Sequence, residues 1–401
     1  SPVKWAAQHI IRQGRARGIY LWLDSISSSE AILVKDAQGI HATAIESLFS
    51  YVGGTSVTAK GEEIKELSEP VFVPGPRHSD MTWVQVKRVI RHSYTGDLLQ
   101  VNPRRGVVEL TGNHPIMSGS HIVEAKDLQL GHHLAMHGSF HAIHPHSNSL
   151  FIGTTDLAWF YGLFCAEGWT NNGHVCLANK DPALLERAAK VLRDHFHLSP
   201  CLNSARQGVF SMEVNSPYLA QHLACCYWAE KHSSRTKKVP VFIMTGPEPV
   251  RNAFLEGYLA GDGHDRGRGI SFGSVSRPLL LGVLWLFGYK EKLPTLSVHT
   301  RPDKVDFVQI QFGQFPELLR EPAKGAKREG SEIKKISSRP YSGYLYDLEV
   351  ESEDNTFFLG IGNIRVHNSQ DVTTVSKEVL KSVDLWILGR QREMNEVRRI
   401  L

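Results

Sequence analysis

The pattern of apolar residues changes twice along this chain of 401 residues. From Ser25 to about Met136, short alternating runs such as WVQVKRVIRH and GDLLQV are separated by Gly, Asn and Pro, which is typical of a compact all-β domain. Residues 151–318 instead carry helical segments, and β-type runs return after residue 331. The simplest organisation is an all-β domain that is interrupted by an α+β domain and then resumed.

Two segments are predicted to join these parts. Residues 131–149 are crowded with His, Gly and Ser and lack apolar periodicity, and residues 319–335 are charged and broken by Gly and Pro. Both are therefore interpreted as linkers. The predicted boundaries are 1–24 and 369–401 for the flanks, 25–140 and 331–368 for the β domain, and 151–318 for the inserted domain.

One motif occurs twice in the inserted domain. The segments FYGLFCAEG and LEGYLAGDG match position by position, and each is followed by a strand-like run and a Pro-led helix. We therefore predict a duplicated helix–strand–strand–helix unit. Two helices that pack through Gly162 and Gly257 bring their C-terminal acids, Glu167 and Asp262, to one place.

Composition narrows the class of protein without deciding its function. A net charge of +4 and a pI near 8.7 allow contact with nucleic acid but do not argue for it. The five cysteines are an odd number without a CxxC pair, which indicates reduced thiols rather than disulfides or a zinc site. No apolar run reaches the length of a membrane span and no signal-peptide pattern is present, so we expect a cytoplasmic protein without a membrane partner.

The most specific chemical signal is the tripeptide His367–Asn368–Ser369. An Asn side-chain amide can attack its own backbone carbonyl, which closes a succinimide and breaks the following peptide bond. A preceding His can polarise that carbonyl or protonate the leaving amine. A hydroxyl residue after the Asn can attack an upstream ester. Alone, such a tripeptide is most often a surface turn, so the surrounding sequence has to decide.

Three motifs around this chemistry occur in the order found in inteins, the protein-splicing elements. YSGYLYDLEVESEDNTFFLGIGNIRVHNS closely resembles their C-terminal splicing motif, and SISSSEAILVKDAQGIHATAIESLFS resembles the N-terminal motif of Ser-starting, archaeal polymerase-type inteins. Between them, VELTGNHPIM carries the family's Thr-x-x-His. The resemblance implies an all-β Hint (hedgehog/intein) splicing domain, split by a second domain, that excises residues 25–368 and ligates Asp24 to Ser369. It implies no cofactor for splicing.

At the first junction, the resemblance makes Ser25 the nucleophile that attacks the carbonyl of Asp24. It assigns His114, helped by Thr111, to stabilise the oxyanion and to protonate the leaving nitrogen. The serines at 27–29 compete with Ser25 for this role, and the spacing to the strand AILV favours Ser25.

At the second junction, the resemblance makes Ser369 the nucleophile that takes over the N-terminal segment. Asn368 then cyclises with the assistance of His367. Asp347 matches an acid that positions or activates the nucleophiles, and a purely structural role for it stays open. Both nucleophiles are hydroxyl groups, so no cysteine redox control is expected.

The repeated motif resembles the paired motifs of LAGLIDADG homing endonucleases, which often reside inside inteins. This implies a pseudo-symmetric monomer that binds double-stranded DNA at the intein-less host site, with Glu167 and Asp262 holding Mg²⁺ for phosphodiester hydrolysis. KKVP matches the family's basic motif, so Lys238 or Lys237 is a candidate catalytic lysine, with phosphate contact as the alternative. The alternative without a catalytic role is that the two motifs are core helices that each end in an acid and a Gly.

The flanks carry a weaker resemblance. Joining GIYLWLD to SQDVTTVSKEVL gives a strand, a turn and a helix, as after the Walker B strand of hexameric HerA–FtsK-type ATPases. The chain has no P-loop, so the flanks do not hydrolyse ATP themselves, although complete host ATPase flanks can oligomerise. Two alternatives to an active splicing endonuclease stay open: an insert that only binds DNA, and a relic that no longer splices.

Overall fold

The computed structural model describes the chain in segments. The described residues are 25–58, 61–78, 80–138, 140–144, 154–206, 208–228, 233–265, 270–287, 294–301, 304–311 and 330–368. The predicted flanks, including the strand GIYLWLD and the nucleophile Ser369, lie outside these residues.

Before the insert, the described residues form ten strands and two short 3-10 helices. The elements are β1 Ile26–Ser27, β2 Ala31–Asp36, β3 Gly39–Ala44, a 3-10 helix Ile45–Ser50, β4 Gly53–Val57, β5 Glu63–Leu67, β6 Phe72–Arg77, β7 Asp80–Pro103, β8 Val108–Thr111, β9 Pro115–Ser118, β10 His121–Glu124 and a 3-10 helix Ala125–Asp127. The first four residues of β2 are apolar and all buried, which is typical of a strand that packs between two layers.

The insert alternates helices with pairs of strands. Its elements are α1 Thr155–Glu167, β11 Gly168–Asn171, β12 His174–Asn179, α2 Pro182–Phe196, β13 Cys201–Arg206, β14 Val209–Asn215, α3 Pro217–Tyr227, α4 Val241–Met244, α5 Glu248–Asp262, β15 His264–Asp265, β16 Ile270–Ser274, α6 Arg277–Leu286, β17 Thr295–Arg301 and β18 Lys304–Gln311. The Pro-led helices α2 and α6 begin after the capping residues Asp181 and Ser276, whose side chains accept backbone N–H groups. Among the described residues, no helix is both long and apolar enough to cross a membrane.

Three further strands follow the insert: β19 Ile333–Val350, β20 Thr356–Leu359 and β21 Ile364–His367. A nine-stranded sheet contains the order β19-β1-β8-β7-β6-β2-β3, with β4 and β5 attached through β7. Because β7 also pairs with β19, the strands β19, β1, β8 and β7 close into a ring. A second sheet has the order β10-β9-β21-β20, so strands from both sides of the insert share both sheets.

β7 is one continuous strand, although separate runs were predicted from WVQVKRVIRH and GDLLQV. It extends from Asp80 to Pro103 and pairs with β19 along most of its length. Gly96 does not end the strand, because the ladder continues through it and the Tyr94 hydroxyl fills the space above its α-carbon. The prediction was wrong here because cross-strand hydrogen bonds outweigh the local preference of Gly for turns.

The linkers predicted at 131–149 and 319–335 are wrong where the structure describes them. The N–H of Leu134 donates to a carbonyl beside β19, and Phe140 is fully buried with its ring centroid 5.4 Å from that of Trp285. Ile333, inside the second predicted linker, already lies in β19. Apolar residues in irregular backbone have no periodicity that would reveal their burial.

The β2–β3 hairpin contributes to two hydrophobic clusters. On β2 and β3, Leu33 and Ile40 belong to the apolar cluster of the insert helices, whereas Ile32 and Val34 belong to the interior of the β domain. Helix α6 contacts both of these strands. The insert is therefore packed onto the β domain rather than tethered beside it.

The repeated segments form α1 and α5, which cross at their glycines as predicted. A β-carbon on Gly162 would overlap the carbonyl oxygen of Phe254, and one on Gly257 would overlap that of Trp159. Each helix is followed by two strands, a second helix and two more strands, and the two sheets have the matching orders β11-β12-β14-β13 and β15-β16-β18-β17. The predicted duplication is confirmed.

Gly257→Ala is expected to destabilise the insert, because the added β-carbon has no room between α1 and α5. Overpacking of this kind costs about 1–3 kcal/mol, so urea should unfold the variant at a lower concentration than wild type. Gly54→Ala is the matched control, since nothing lies within 4 Å of a β-carbon at that position. Equal unfolding midpoints for the two variants would contradict the close helix crossing.

Candidate active sites

The strand ladder around β1 brings Ser25 to Thr111. The Ser25 N–H donates to Thr111 Oγ1 at 3.1 Å, and the Thr111 N–H donates to the Ser25 carbonyl oxygen at 2.9 Å. Both side chains are buried. The Ser25 nitrogen, which is the leaving group in the predicted first step, is therefore in contact with a hydroxyl group.

Asp347 lies on the other side of β1. The antiparallel pairing of Ile26 with Tyr346 places Asp347 opposite Ser25. The Asp347 side chain is buried, and its Oδ1 accepts the N–H of Leu348 at 2.7 Å. This position at the first junction fits both an activating role and a structural one.

The imidazole of His114 is completely buried. Its backbone N–H donates to the Thr111 carbonyl at 3.1 Å, and its carbonyl accepts the N–H of Ala125 at 3.0 Å. Within the described residues, neither ring nitrogen has a hydrogen-bond partner. Burial, followed by the neighbouring His367, lowers the pKa of His114 to about 3. The ring is therefore neutral at pH 7, with one nitrogen that can donate and one that can accept.

Strand β21 delivers His367 and Asn368 to the same place. Val366 pairs with Ile116 of β9, so the antiparallel register places Asn368 opposite His114. Nδ1 of His367 lies 2.6 Å from the Asn368 carbonyl oxygen, which can only accept, so Nδ1 carries the proton in this contact. Burial lowers the pKa of His367, and this hydrogen bond opposes the shift. The proton is directed at the carbonyl of the predicted scissile bond.

Asn368 is held by a turn that sequence reasoning missed. Its backbone N–H donates to the Asn355 carbonyl at 2.9 Å, and Asn355 adopts a φ of +55°, which Asn tolerates better than most residues. The Asp-Asn dipeptide before the strand TFFL is the turn signal that could have revealed it. The Asn368 side chain is buried, and among the described residues its Oδ1 has no hydrogen-bond partner.

A second site lies where α1 and α5 end, at Glu167 and Asp262 as the repeat predicts. The Asn179 side-chain amide donates to Glu167 Oε1 at 2.9 Å. Burial raises the pKa of both acids, and the charge of Glu167 raises that of Asp262 further, although Asp262 still reaches solvent. A cation would relieve this repulsion. In the part of the chain that the structure describes, no group of three or more His, Cys, Asp or Glu forms a metal site, so the pair offers two ligands.

Lys237, rather than Lys238, lies at the acid pair. Its ammonium donates to the carbonyls of Cys165 at 2.5 Å and Gly168 at 3.3 Å, and its charge opposes the upward pKa shift of both acids. Lys238 interacts with Asp36 of the β domain, and burial lowers its pKa. Of the two candidate lysines, the structure therefore brings Lys237 and not Lys238 to the acids. The KKVP motif could not decide between two neighbours whose side chains diverge.

Comparison with known proteins decides the family. The model of the intein splicing domain matches residues 32–368, which is most of the chain and ends on Asn368. The chain belongs to the intein splicing domain family.

The relatives are much longer proteins. A DNA polymerase of Acanthamoeba polyphaga mimivirus is 25% identical over 381 residues, covering 87% of this chain and 20% of the polymerase. A DNA polymerase of Thermococcus hydrothermalis is 29% identical over 212 residues, covering 38% of this chain and 12% of the polymerase. The chain spans a fifth or less of the length of these relatives.

Two solved structures show distant likeness to this intein-family chain. The transcription factor IIB Mvu mini-intein has a TM-score of 0.32 and 13% identity, covering 86% of this chain and 99% of its own. I-DmoI in complex with DNA and Mn has a TM-score of 0.30 and 14% identity, covering 41% of this chain and 93% of its own.

His114 is expected to make stability depend on pH. Its folded pKa of about 3 lies below the ordinary value near 6.5, so the unfolded chain takes up the proton first as pH falls. The stabilisation is complete above pH 6.5 and is lost towards pH 3. In a Ser25→Ala/Asn368→Ala background, His114→Gln should remove up to about 1.4 kcal/mol per pH unit from the slope of the free energy of unfolding.

Urea unfolding at several pH values between 7 and 4 measures this slope. His121→Gln, at an exposed position of β10, is the matched control. An equal change of slope in both variants would rule out a special contribution of His114.

Proposed function

We propose that this chain is a self-splicing precursor that excises residues 25–368 and joins Asp24 to Ser369. The observation that carries the proposal is that two residues joined by one backbone hydrogen bond serve the two junctions: Thr111 contacts the Ser25 nitrogen, and His114 lies opposite Asn368. Membership of the intein splicing domain family supports it.

In the first step, Ser25 Oγ bonds to the Asp24 carbonyl carbon, and the bond from that carbon to the Ser25 nitrogen breaks. The attack has to overcome amide resonance, so it needs help at both the oxygen and the nitrogen. Thr111 Oγ1 already contacts the Ser25 nitrogen. The Ser25 hydroxyl loses one proton and the leaving amine gains one, and neutral His114, which has one accepting and one donating ring nitrogen, is the group assigned to transfer it.

In the later steps, the Ser369 hydroxyl attacks the new ester, which frees the Ser25 hydroxyl and transfers the N-terminal flank. Asn368 Nδ2 then attacks its own carbonyl carbon, and the bond to the Ser369 nitrogen breaks. The N–H of His367 stabilises the oxygen on which charge develops. The remaining ester between Asp24 and Ser369 rearranges to an amide.

Mass spectrometry of the expressed chain tests splicing. Wild type should yield a peptide of residues 1–24 joined to 369–401, and Ser25→Ala/Asn368→Ala should stay intact. Ser29→Ala, at an exposed position in the same serine run, is the control and should splice as wild type does. A wild-type chain that stays intact would show that the element is a relic.

We further propose that the insert is a DNA endonuclease of the LAGLIDADG type that acts as a pseudo-symmetric monomer. The duplicated α1 and α5 units and their paired acids support this. Two carboxylates suit Mg²⁺, which prefers oxygen ligands and keeps several waters, and when bound it supplies Lewis-acid activation of water and of the leaving oxygen. Glu167 and Asp262 would hold it, while Lys237 limits the repulsion between them. The flanks are proposed, from resemblance alone, to belong to a HerA–FtsK-type host.

Cleavage of DNA that encodes the uninterrupted LWLDSQDV site, in the presence of Mg²⁺, tests this proposal. Asp262→Ala should abolish the double-strand cut, and Lys237→Met should slow it more than Lys238→Met, because only Lys237 lies at the acids. Binding without cutting in wild type would indicate an inactive insert that retains only DNA recognition. Equal effects of the two lysine variants would remove the role given to Lys237.

A further inference from the structure

Glu30 is a fully buried carboxylate of the β domain whose counter-charge comes from the insert. Its carboxylate forms an ion pair with Arg277, the first residue of α6. Arg277 is itself only 9% exposed, so the ion pair is shielded from water. Its pKa is lowered to about 10 by burial, which leaves it charged at neutral pH.

Glu30 also fixes the backbone that carries the first junction. Its N–H donates to the Ser27 carbonyl at 3.0 Å, which closes the turn between β1 and β2. Its Oε1 accepts the N–H of Glu109 at 2.7 Å and so ties this turn to β8. Two residues further along β8, Thr111 holds the nitrogen of Ser25.

The same carboxylate lies beside the segment that leads to the second junction. A β-carbon on Gly360, between β20 and β21, would lie 3.2 Å from Glu30 Oε2. The N–H of Gly360 donates to the carbonyl of Ala31 at 2.9 Å. β21 begins four residues later and carries His367. Glu30 thus touches the chain segments of both junctions.

The other charged groups near Arg277 are already engaged. Arg339 of β19 binds the Glu109 carboxylate through both of its forked nitrogens, with one contact of 2.7 Å. Asp306 of β18 accepts from the Gln100 side chain at 2.5 Å and adds a negative charge near Arg277. Without Arg277, Glu30 would lose the cation with which it is paired, while Asp306 would still add negative charge near the position that Arg277 had occupied. An uncompensated buried charge of this kind is strongly unfavourable.

We propose that Arg277 of the insert is a positioning residue for splicing, because it neutralises Glu30 and so keeps Ser25 and Thr111 in register. This inference rests on the proposed splicing function. It makes splicing depend on how α6 is seated, although α6 contributes no group to the reacting atoms.

Splicing rates of full-length variants, followed by mass spectrometry, test the proposal. Arg277→Met should slow splicing at least about tenfold relative to wild type, whereas Arg277→Lys, which keeps the charge, should lose less. Glu30→Gln/Arg277→Met should recover to within about threefold of wild type, because Gln still accepts from the Glu109 N–H and carries no charge. If Arg277 acted only through packing, removing the charge of Glu30 would not restore the splicing rate.

Arg187→Met is the matched control, since Arg187 pairs with Asp156 and Glu256 inside the insert. It should splice as wild type does. Wild-type rates in Arg277→Met, or a slow double variant, would each overturn the proposal. If Arg277→Met does not fold, a double variant that folds and splices still supports charge neutralisation, and one that does not fold overturns it. An unspliced wild type would instead refute the splicing function itself.

Discussion

The pairing of β7 with β19 is the interaction on which the rest of the structure depends. It joins a strand that precedes the insert to a strand that follows it. β1 and β8 lie between these two strands and complete a ring of four paired strands. Ser25 directly precedes β1, Thr111 is the last residue of β8, and Asp347 lies on β19 itself. Because side chains alternate across a strand, a slip of one residue would turn Asp347 away from Ser25. The proposed chemistry of the first junction therefore depends on the register between β1 and β19.

Burial acts in opposite directions at the two sites. In the splicing site it lowers the pKa of His114 and His367, which keeps both imidazoles neutral and leaves each able to offer a proton. At the ends of α1 and α5 it raises the pKa of Glu167 and Asp262. Their charged forms are therefore unfavourable alone, and a bound cation would stabilise them. This difference fits the proposed substrates, which are an uncharged amide at the buried site and a charged phosphodiester at the acid pair.

The sequence could predict features that depend on residues close together in the chain. The resemblance of the Thr-x-x-His motif predicts Thr111 and His114, which lie at the end of β8 and in the turn that follows it, and the repeat predicts the crossing of α1 and α5. Contacts between distant segments were not predictable. Three features depend on how the insert packs on the β2–β3 hairpin. These are the divergence of the Lys237 and Lys238 side chains, the burial of Phe140 and the pairing of Arg277 with Glu30. No local preference encodes that arrangement, because each segment alone is compatible with several partners.

The position of β19 in the chain has a consequence in time. Arg88 of β7 and Glu349 of β19 lie within 3.4 Å of each other although 261 positions separate them. A ribosome therefore releases Ser25, β7 and the whole insert before β19 emerges, and domains generally fold in the order of their synthesis. During that interval Asp347, which lies opposite Ser25 in the folded chain, and His367 of the second junction have not yet been made. Under the proposed mechanism, the length of the insert therefore sets an interval between the synthesis of Ser25 and the completion of its site by β19.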